Sequence, residues 1–243
     1  MKPKTAQLGG PCMSRHMEDN LDMTLAELLP RMQHRILSGM TWFGVRVLKC
    51  PNDFWMYQEI LFERRPDVIV EIGNAYGGST LALAHLCDLL GHGRVIGVDL
   101  SHGGVPDVVR RHPRVRLFEG DACALYGTVR NEVRKGERVL VIEDSSHTFE
   151  NTLAVLRTYS PLVKPRDYFI VEDSICHHGL SEGPSPGPFE AIEAFVAENP
   201  DFEIDRSREA FVVTWNPKGY LRRRDDDSIG GKLRRLGKRL AGE

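Results

Sequence analysis

Five short apolar runs, each ending at or beside an acidic residue and each followed by a stretch of helical periodicity, constrain this chain more than any other feature. They are residues 67–72 (DVIVEI), 94–99 (RVIGVD), 115–120 (VRLFEG), 138–144 (RVLVIED) and 167–173 (DYFIVED). Short β-branched runs between turn residues suit buried strands. Helical spacing follows over 79–90, 106–111, 122–135, 148–159 and 189–199, with Pro188 at a first helical position. Strands alternating with helices imply an α/β fold, a mostly parallel sheet covered on both faces. Two further runs, 202–205 (FEID) and 210–215 (AFVVTW), have no helix between them. They predict an antiparallel hairpin at one edge and complete a seven-stranded, Rossmann-like sheet. Helices over 24–37, carrying Pro30, and 53–65, with Asn52 or Asp53 as N-cap, precede the sheet. They are expected to cover a pocket or to make an oligomer contact.

Composition narrows the class. A chain of 243 residues, 41% apolar and 27% charged, is close to an ordinary globular domain. No apolar run approaches membrane-spanning length, and the N-terminus has no signal-like core. The five cysteines are scattered without a C-x-x-C pair, as expected of reduced thiols in the cytoplasm. A net charge of −2 gives no nucleic-acid footprint. Three parts are expected: an unstructured segment over 1–20, one domain over 21–221, and a basic tail over 222–243. The tail holds eight Lys and Arg against four Asp and Glu. It reads either as a solvated, frayed terminus or as a weak contact with a membrane surface.

In an open α/β sheet, ligands sit beyond the carboxyl ends of the strands where strand order reverses. The first such end reads EIGNAYGGST, Glu71 to Thr80. Gly73, Gly77 and Gly78 let the backbone turn tightly and approach a ligand, and the next helix opens there with free N–H groups. The spacing is G-x-x-x-G-G, so it is not the dinucleotide fingerprint G-x-G-x-x-G. It resembles the first motif of class I S-adenosylmethionine (SAM)-dependent methyltransferases. That resemblance implies a cofactor site at Glu71, Gly73, Asn74, Tyr76, Gly77, Gly78 and Ser79. Asp99 would grip the ribose hydroxyls, Gly120 and Asp121 would read the adenine edge, and Asp144 would border the same site.

Asp144 ends the fourth strand, and Glu172 and Asp173 end the fifth. Three carboxylates at neighbouring strand ends repel unless a cation compensates, and all-oxygen ligation suits Mg²⁺. His147 lies three residues after Asp144, and histidine is the side chain suited to proton transfer near neutral pH. It is the candidate base for a metal-bound hydroxyl, with Asp144 the alternative. Mg²⁺-dependent catechol-type methyltransferases resemble this layout but carry Lys at the base position.

The segments TWFGVRVLKCPNDFWMYQEIL, RPDVIVEIGNAYGGSTLALA, RVIGVDL, VLVIEDSSHTFENTLAVLRTYSPLV, YFIVEDS, PGPFEAIEAFV and NPDFEIDRSREAFVVTWNPKGYL resemble, in order, the cephalosporin hydroxylase/rhamnosyl O-methyltransferase family. They run from about Thr41 to Leu221. The resemblance implies a SAM- and Mg²⁺-binding methyltransferase acting on a hydroxyl of a sugar-containing small molecule or glycan, and favours a homo-oligomer. Family members often carry Leu where this chain has Glu143, and an acid at Ser146. The loop from Ser174 to Gly187, rich in Gly and Pro, is expected to be a lid. Trp42, Phe43, Trp55, Tyr76 and Trp215 offer stacking faces, with none assigned to substrate. Rival readings are a non-catalytic SAM-binding subunit of a hydroxylase or methoxylase system, and a methyltransferase of a catechol-like or β-lactam molecule. An NAD-linked oxidoreductase lacks its glycine fingerprint, and an oxygenase lacks a convincing iron site.

Overall fold

A computed structural model describes residues 16–225. The expectations for residues 1–15, and for the tail beyond 225, lie outside the described residues. Seven strands form one sheet: β3 (Val68–Ile72), β4 (Arg94–Asp99), β5 (Val115–Glu119), β6 (Val139–Glu143), β7 (Tyr168–Val171), β8 (Phe202–Ile204) and β9 (Tyr220–Arg223). Their order is β5-β4-β3-β6-β7-β9-β8. The first five run parallel, and β9 is antiparallel to both β7 and β8. Chain order reverses between β3 and β6, so the turns after these two strands flank the crevice where ligands bind in such sheets.

Every residue of β3 and of β6 is buried. Alternation therefore sorts their side chains between two cores. Val68, Val70, Ile72, Val139 and Val141 face α5 (Ala122–Glu132), α6 (Phe149–Tyr159) and α7 (Pro188–Glu198). Ile69, Leu140 and Ile142 face α2 (Pro51–Arg64) and α3 (Gly78–Leu90). The same alternation turns Glu71 toward α3 and Glu143 toward α6. A short α4 (Asp107–Arg110) joins β4 to β5. Ahead of the sheet, α1 (Leu25–Gly39) leads into a hairpin of β1 (Thr41–Trp42) and β2 (Val45–Arg46), which the sequence reading did not foresee.

Two sequence expectations are corrected. The antiparallel pair expected at the edge is present, but its closing strand is Tyr220–Arg223 and not 210–215, and residues 205–219 form the connection. Phe211 and Val212 are exposed, and Val212 adopts a left-handed φ of 66°. The segment instead anchors loops: Trp215 N–H donates to Asp53 Oδ2, and Trp215 C=O accepts from Ile175 N–H. The N-cap of α2 is Cys50 rather than Asn52 or Asp53, because Pro51 takes the first helical position, where its missing N–H costs nothing. Asp53 turns inward and accepts hydrogen bonds from Thr214, Trp215 and Tyr220, and burial raises its pKa.

Candidate active site

The glycine turn after β3 is built by close approach. Gly73 has φ of 88°, and a Cβ placed there would lie 2.0 Å from the Asp144 carbonyl oxygen and 2.9 Å from Ser145 Cα. Only glycine allows the ends of β3 and β6 to touch. Below the turn, Glu71 is fully buried. One of its oxygens accepts from Thr80 and, at 2.8 Å, from Asn74 Nδ2, while the other has no partner among the described residues. Asn74 is in turn paired with buried His102 at 3.1 Å. Burial lowers the His102 pKa. These groups pin the turn from beneath. Gly77 is the N-cap of α3, and Gly78 and Ser79 open the helix. A Cβ on Gly78 would meet the Arg46 carbonyl at 2.2 Å, so the β2 end packs directly on this turn.

Asp99 ends β4 and holds the turn from the side. Its Oδ2 accepts from the Asn74 and Ala75 N–H groups at 2.7 and 3.0 Å, and Ser101 N–H reaches Oδ1 at 3.3 Å. Asp121 caps α5 through Ala124 N–H at 2.8 Å. Gly73, Ala75, Asp99, Gly120, Asp121, Asp144, Ser145, Ser146 and Asn151 line one cavity of about 290 Å³. Asn151 and Ser145 were not anticipated there. Both are held by Glu143: its Oε1 accepts from Ser145 Oγ at 2.6 Å and from Asn151 Nδ2 at 3.3 Å. Burial pushes the Glu143 carboxyl up to about 8.

A second cavity, of about 470 Å³, lies on the other side of the turn. Gly73, Ala75, Asp144 and Ser145 line both cavities and form their common wall. Tyr76, Gly78, Ser79, His147, Glu172 and Asp173 also line the larger one, with Trp215 and residues of α1. Tyr76 lies under the Arg46 guanidinium, 4.2 Å from its ring centre. The loop expected to be a lid supplies Ile175, Cys176, Leu180, Glu182, Gly183 and Pro184 to this cavity. His177 pairs with the Gly183 carbonyl within the loop at 2.9 Å, and His178 ties it to Glu190 of α7 at 2.7 Å.

At the base of the larger cavity, Asp144, His147 and Asp173 each present a ligand atom, all within 4.8 Å of one another. His147 Nε2 is 3.2 Å from Asp173 Oδ2 and 3.9 Å from Asp144 Oδ1. His147 and Asp173 both adopt left-handed backbone, φ 56° and 54°. Such conformations cost energy and cluster at functional sites. Glu172 is placed differently. It is buried, and its carboxylate receives Lys49 Nζ and the Tyr57 hydroxyl. Burial pushes it up to about 7. Lys49, only 4% exposed, also bonds Asp144 Oδ2. Burial alone would lower the Lys49 pKa, but the Asp144 and Glu172 carboxylates outweigh it and hold the ammonium charged. Burial raises the Asp144 pKa. Lys49 is the residue that sequence reasoning missed. Its neighbours in LKCPND give no hint of it, since the partners lie 95 and 123 residues away in the chain.

A family model described as rhamnosyl O-methyltransferase/CmcI matches residues 34–224. A rhamnosyl O-methyltransferase of Mycobacterium leprae is 36% identical over 193 residues, which are 76% of this chain and 83% of that protein. One of Mycobacterium tuberculosis is 36% identical over 188 residues, 74% of this chain and 77% of that protein. A solved structure of CmcI with Mg and SAM is 27% identical, superposes with a TM-score of 0.61, and covers 76% of this chain and 77% of that one. The mostly parallel seven-stranded sheet is that of a class I methyltransferase fold. The chain belongs to the rhamnosyl O-methyltransferase/CmcI family.

Proposed function

We propose that the protein is a Mg²⁺-dependent O-methyltransferase that moves the methyl group of SAM to a hydroxyl of a sugar-bearing acceptor. The observation that carries the reading is the wall of Gly73, Ala75, Asp144 and Ser145 shared by two cavities. A donor on one side and an acceptor on the other meet only there. The smaller cavity fits SAM: Asp99 offers Oδ1 to ribose hydroxyls, and the acid-capped start of α5 lies at the adenine end. A side chain at Gly73 would strike the Asp144 carbonyl, so the glycine keeps the wall between the two cavities thin. The carboxylates of Asp144 and Asp173, with Glu172 behind them, fit a hard divalent cation.

When bound, SAM supplies an electrophilic methyl group on sulfur. The divalent ion supplies positive charge that acidifies an acceptor hydroxyl. The residues of this chain do the rest. Asp144 and His147 are the groups placed to take the hydroxyl proton, and a positioned base contributes about 10²–10⁴-fold. Tyr76, with Arg46 stacked on its ring, and the 174–187 loop line the cavity proposed for the acceptor. A second reading makes His147 a ligand rather than the base. It is favoured by the convergence of its Nε2 with Asp144 and Asp173.

Relatives named as rhamnosyl O-methyltransferases direct the acceptor choice to rhamnosides and similar sugars with adjacent hydroxyls. The proposal extends to a catalytic unit over 21–221 that works in the cytoplasm as a homo-oligomer. The described cysteines are free thiols, and among the described residues no helix is long and apolar enough to cross a membrane. The test is incubation with deuterated-methyl SAM, Mg²⁺ and a panel of rhamnosides and catechols, read by mass spectrometry. Labelled rhamnoside is expected. Label on catechols alone would reassign the acceptor, and no labelled product from any acceptor would reject transferase activity toward both classes.

A further inference from the structure

Lys49 plays no part in the chemistry above, yet its ammonium stands at the centre of it. The residue sits between β2 and α2, and its side chain is almost wholly buried. Its Nζ bridges Asp144 Oδ2 and Glu172 Oε1. Asp144 Oδ1 faces the opposite way, toward His147 Nε2. Glu172 is fixed from behind by Tyr57, whose hydroxyl accepts from Asn216 Nδ2 at 3.0 Å. Asn216 Oδ1 accepts from Asp173 N–H at 3.2 Å, so the brace closes on the neighbouring acid. Each contact orients an acid that borders the proposed ion site, and Lys49 is the one cation among them.

We propose that Lys49 is a positioning residue of the metal centre, a built-in cation that turns one oxygen of Asp144 and one of Glu172 inward and tempers the affinity for the divalent ion. The inference rests on the metal-dependent reading above. Its logic is electrostatic and geometric. Without Lys49 the acids would hold a divalent ion with all their charge and more of their oxygens. Mg²⁺ takes six ligands and in catalytic sites keeps positions for water and substrate oxygens. An ion gripped by a full set of acids would have none to offer adjacent sugar hydroxyls. A fixed positive charge beside the site weakens the grip, and its hydrogen bonds keep the inward oxygens engaged.

The sign of this effect separates it from a merely structural role. Mn²⁺ binding is measured by the loss of the free-ion paramagnetic resonance signal, with no SAM and no acceptor present. Lys49→Met should bind Mn²⁺ tighter than wild type, on the order of tenfold or more. Its turnover should fall while its affinity for SAM stays unchanged. Lys49→Arg, which keeps the charge, should bind Mn²⁺ like wild type. If Lys49→Met does not fold, Lys49→Gln carries the same expectation, since it keeps a donor without the charge. A folded charge-free variant that binds Mn²⁺ equally or more weakly would overturn the proposal and leave the metal-dependent reading standing. A wild-type protein that binds no Mn²⁺ would overturn both.

Discussion

Replacing Gly73 by Ala probes the wall between donor and acceptor. Two separate costs follow. The first is conformational: at φ of 88° a Cβ costs about 1–2 kcal/mol whatever surrounds it. The second is steric. The new Cβ would lie 2.0 Å from the Asp144 carbonyl oxygen, whereas ordinary contact begins at 3.4 Å. The ends of β3 and β6 must therefore part by about 1.4 Å, and a displacement of positioned groups of about 1 Å already costs about 10²-fold in rate. Gly91→Ala provides the control. Its φ of 62° carries the same conformational cost, but nothing lies within 4 Å of its Cβ. The expected outcome is a loss of about 1 kcal/mol in Gly91→Ala with full activity. Gly73→Ala should lose about 2–4 kcal/mol of stability, and its kcat should drop about a hundredfold. Urea unfolding gives the stability and a labelled-methyl assay the rate. Equal stability losses and wild-type turnover in Gly73→Ala would refute the claim that this backbone contact sets the wall.

Three further outcomes are expected. The Glu143 carboxyl, raised by burial to about 8, favours folding in its protonated form. Its contribution is complete below the ordinary value near 4.5 and is lost as pH rises through about 8. Wild type should therefore lose melting temperature relative to Glu143→Gln between pH 5 and 9; parallel melting curves across that range would count against it. Asp99→Asn should weaken SAM binding about tenfold or more, because Asp99 fixes the turn and is the residue proposed to hold the ribose; unaltered affinity by calorimetry would remove Asp99 from the proposed cofactor site. EDTA and Asp144→Ala should each abolish transfer. His147→Ala should slow transfer at least about a hundredfold with SAM and Mn²⁺ binding intact if His147 is the base, and should lose Mn²⁺ affinity if it is a ligand.

What the sequence disclosed and what it hid follow from the range of the forces involved. The five parallel strands and the glycine turn were legible because local features decide them: β-branched runs, breakers at both ends, and a backbone that must be free of Cβ atoms. The positions of Asp99 and Asp121 were legible because strand polarity alone puts them at the carboxyl edge of the sheet, where they line the smaller cavity. The closing strand was misplaced because Phe211-Val212-Val213 has the right residue types but the wrong neighbours. The Tyr220–Arg223 edge docks between β7 and β8, while Val212 is left in solvent. Lys49 was invisible because a lone lysine gives no periodic signal, and only the folded chain brings it to Asp144 and Glu172. The different fates of Glu172 and Asp173, one braced inward and one facing the cavity, arise from side-chain partners that no spacing rule encodes.

In the proposed reaction, two cavities sharing one glycine-built wall bring a SAM methyl group to a metal-oriented hydroxyl. Calorimetric titration of SAM into the purified protein, with Mg²⁺ and again with EDTA, tests it most directly. Saturable SAM binding is expected under both conditions, with no heat from NAD and methyl transfer only with Mg²⁺. Failure of SAM to bind under either condition would contradict it.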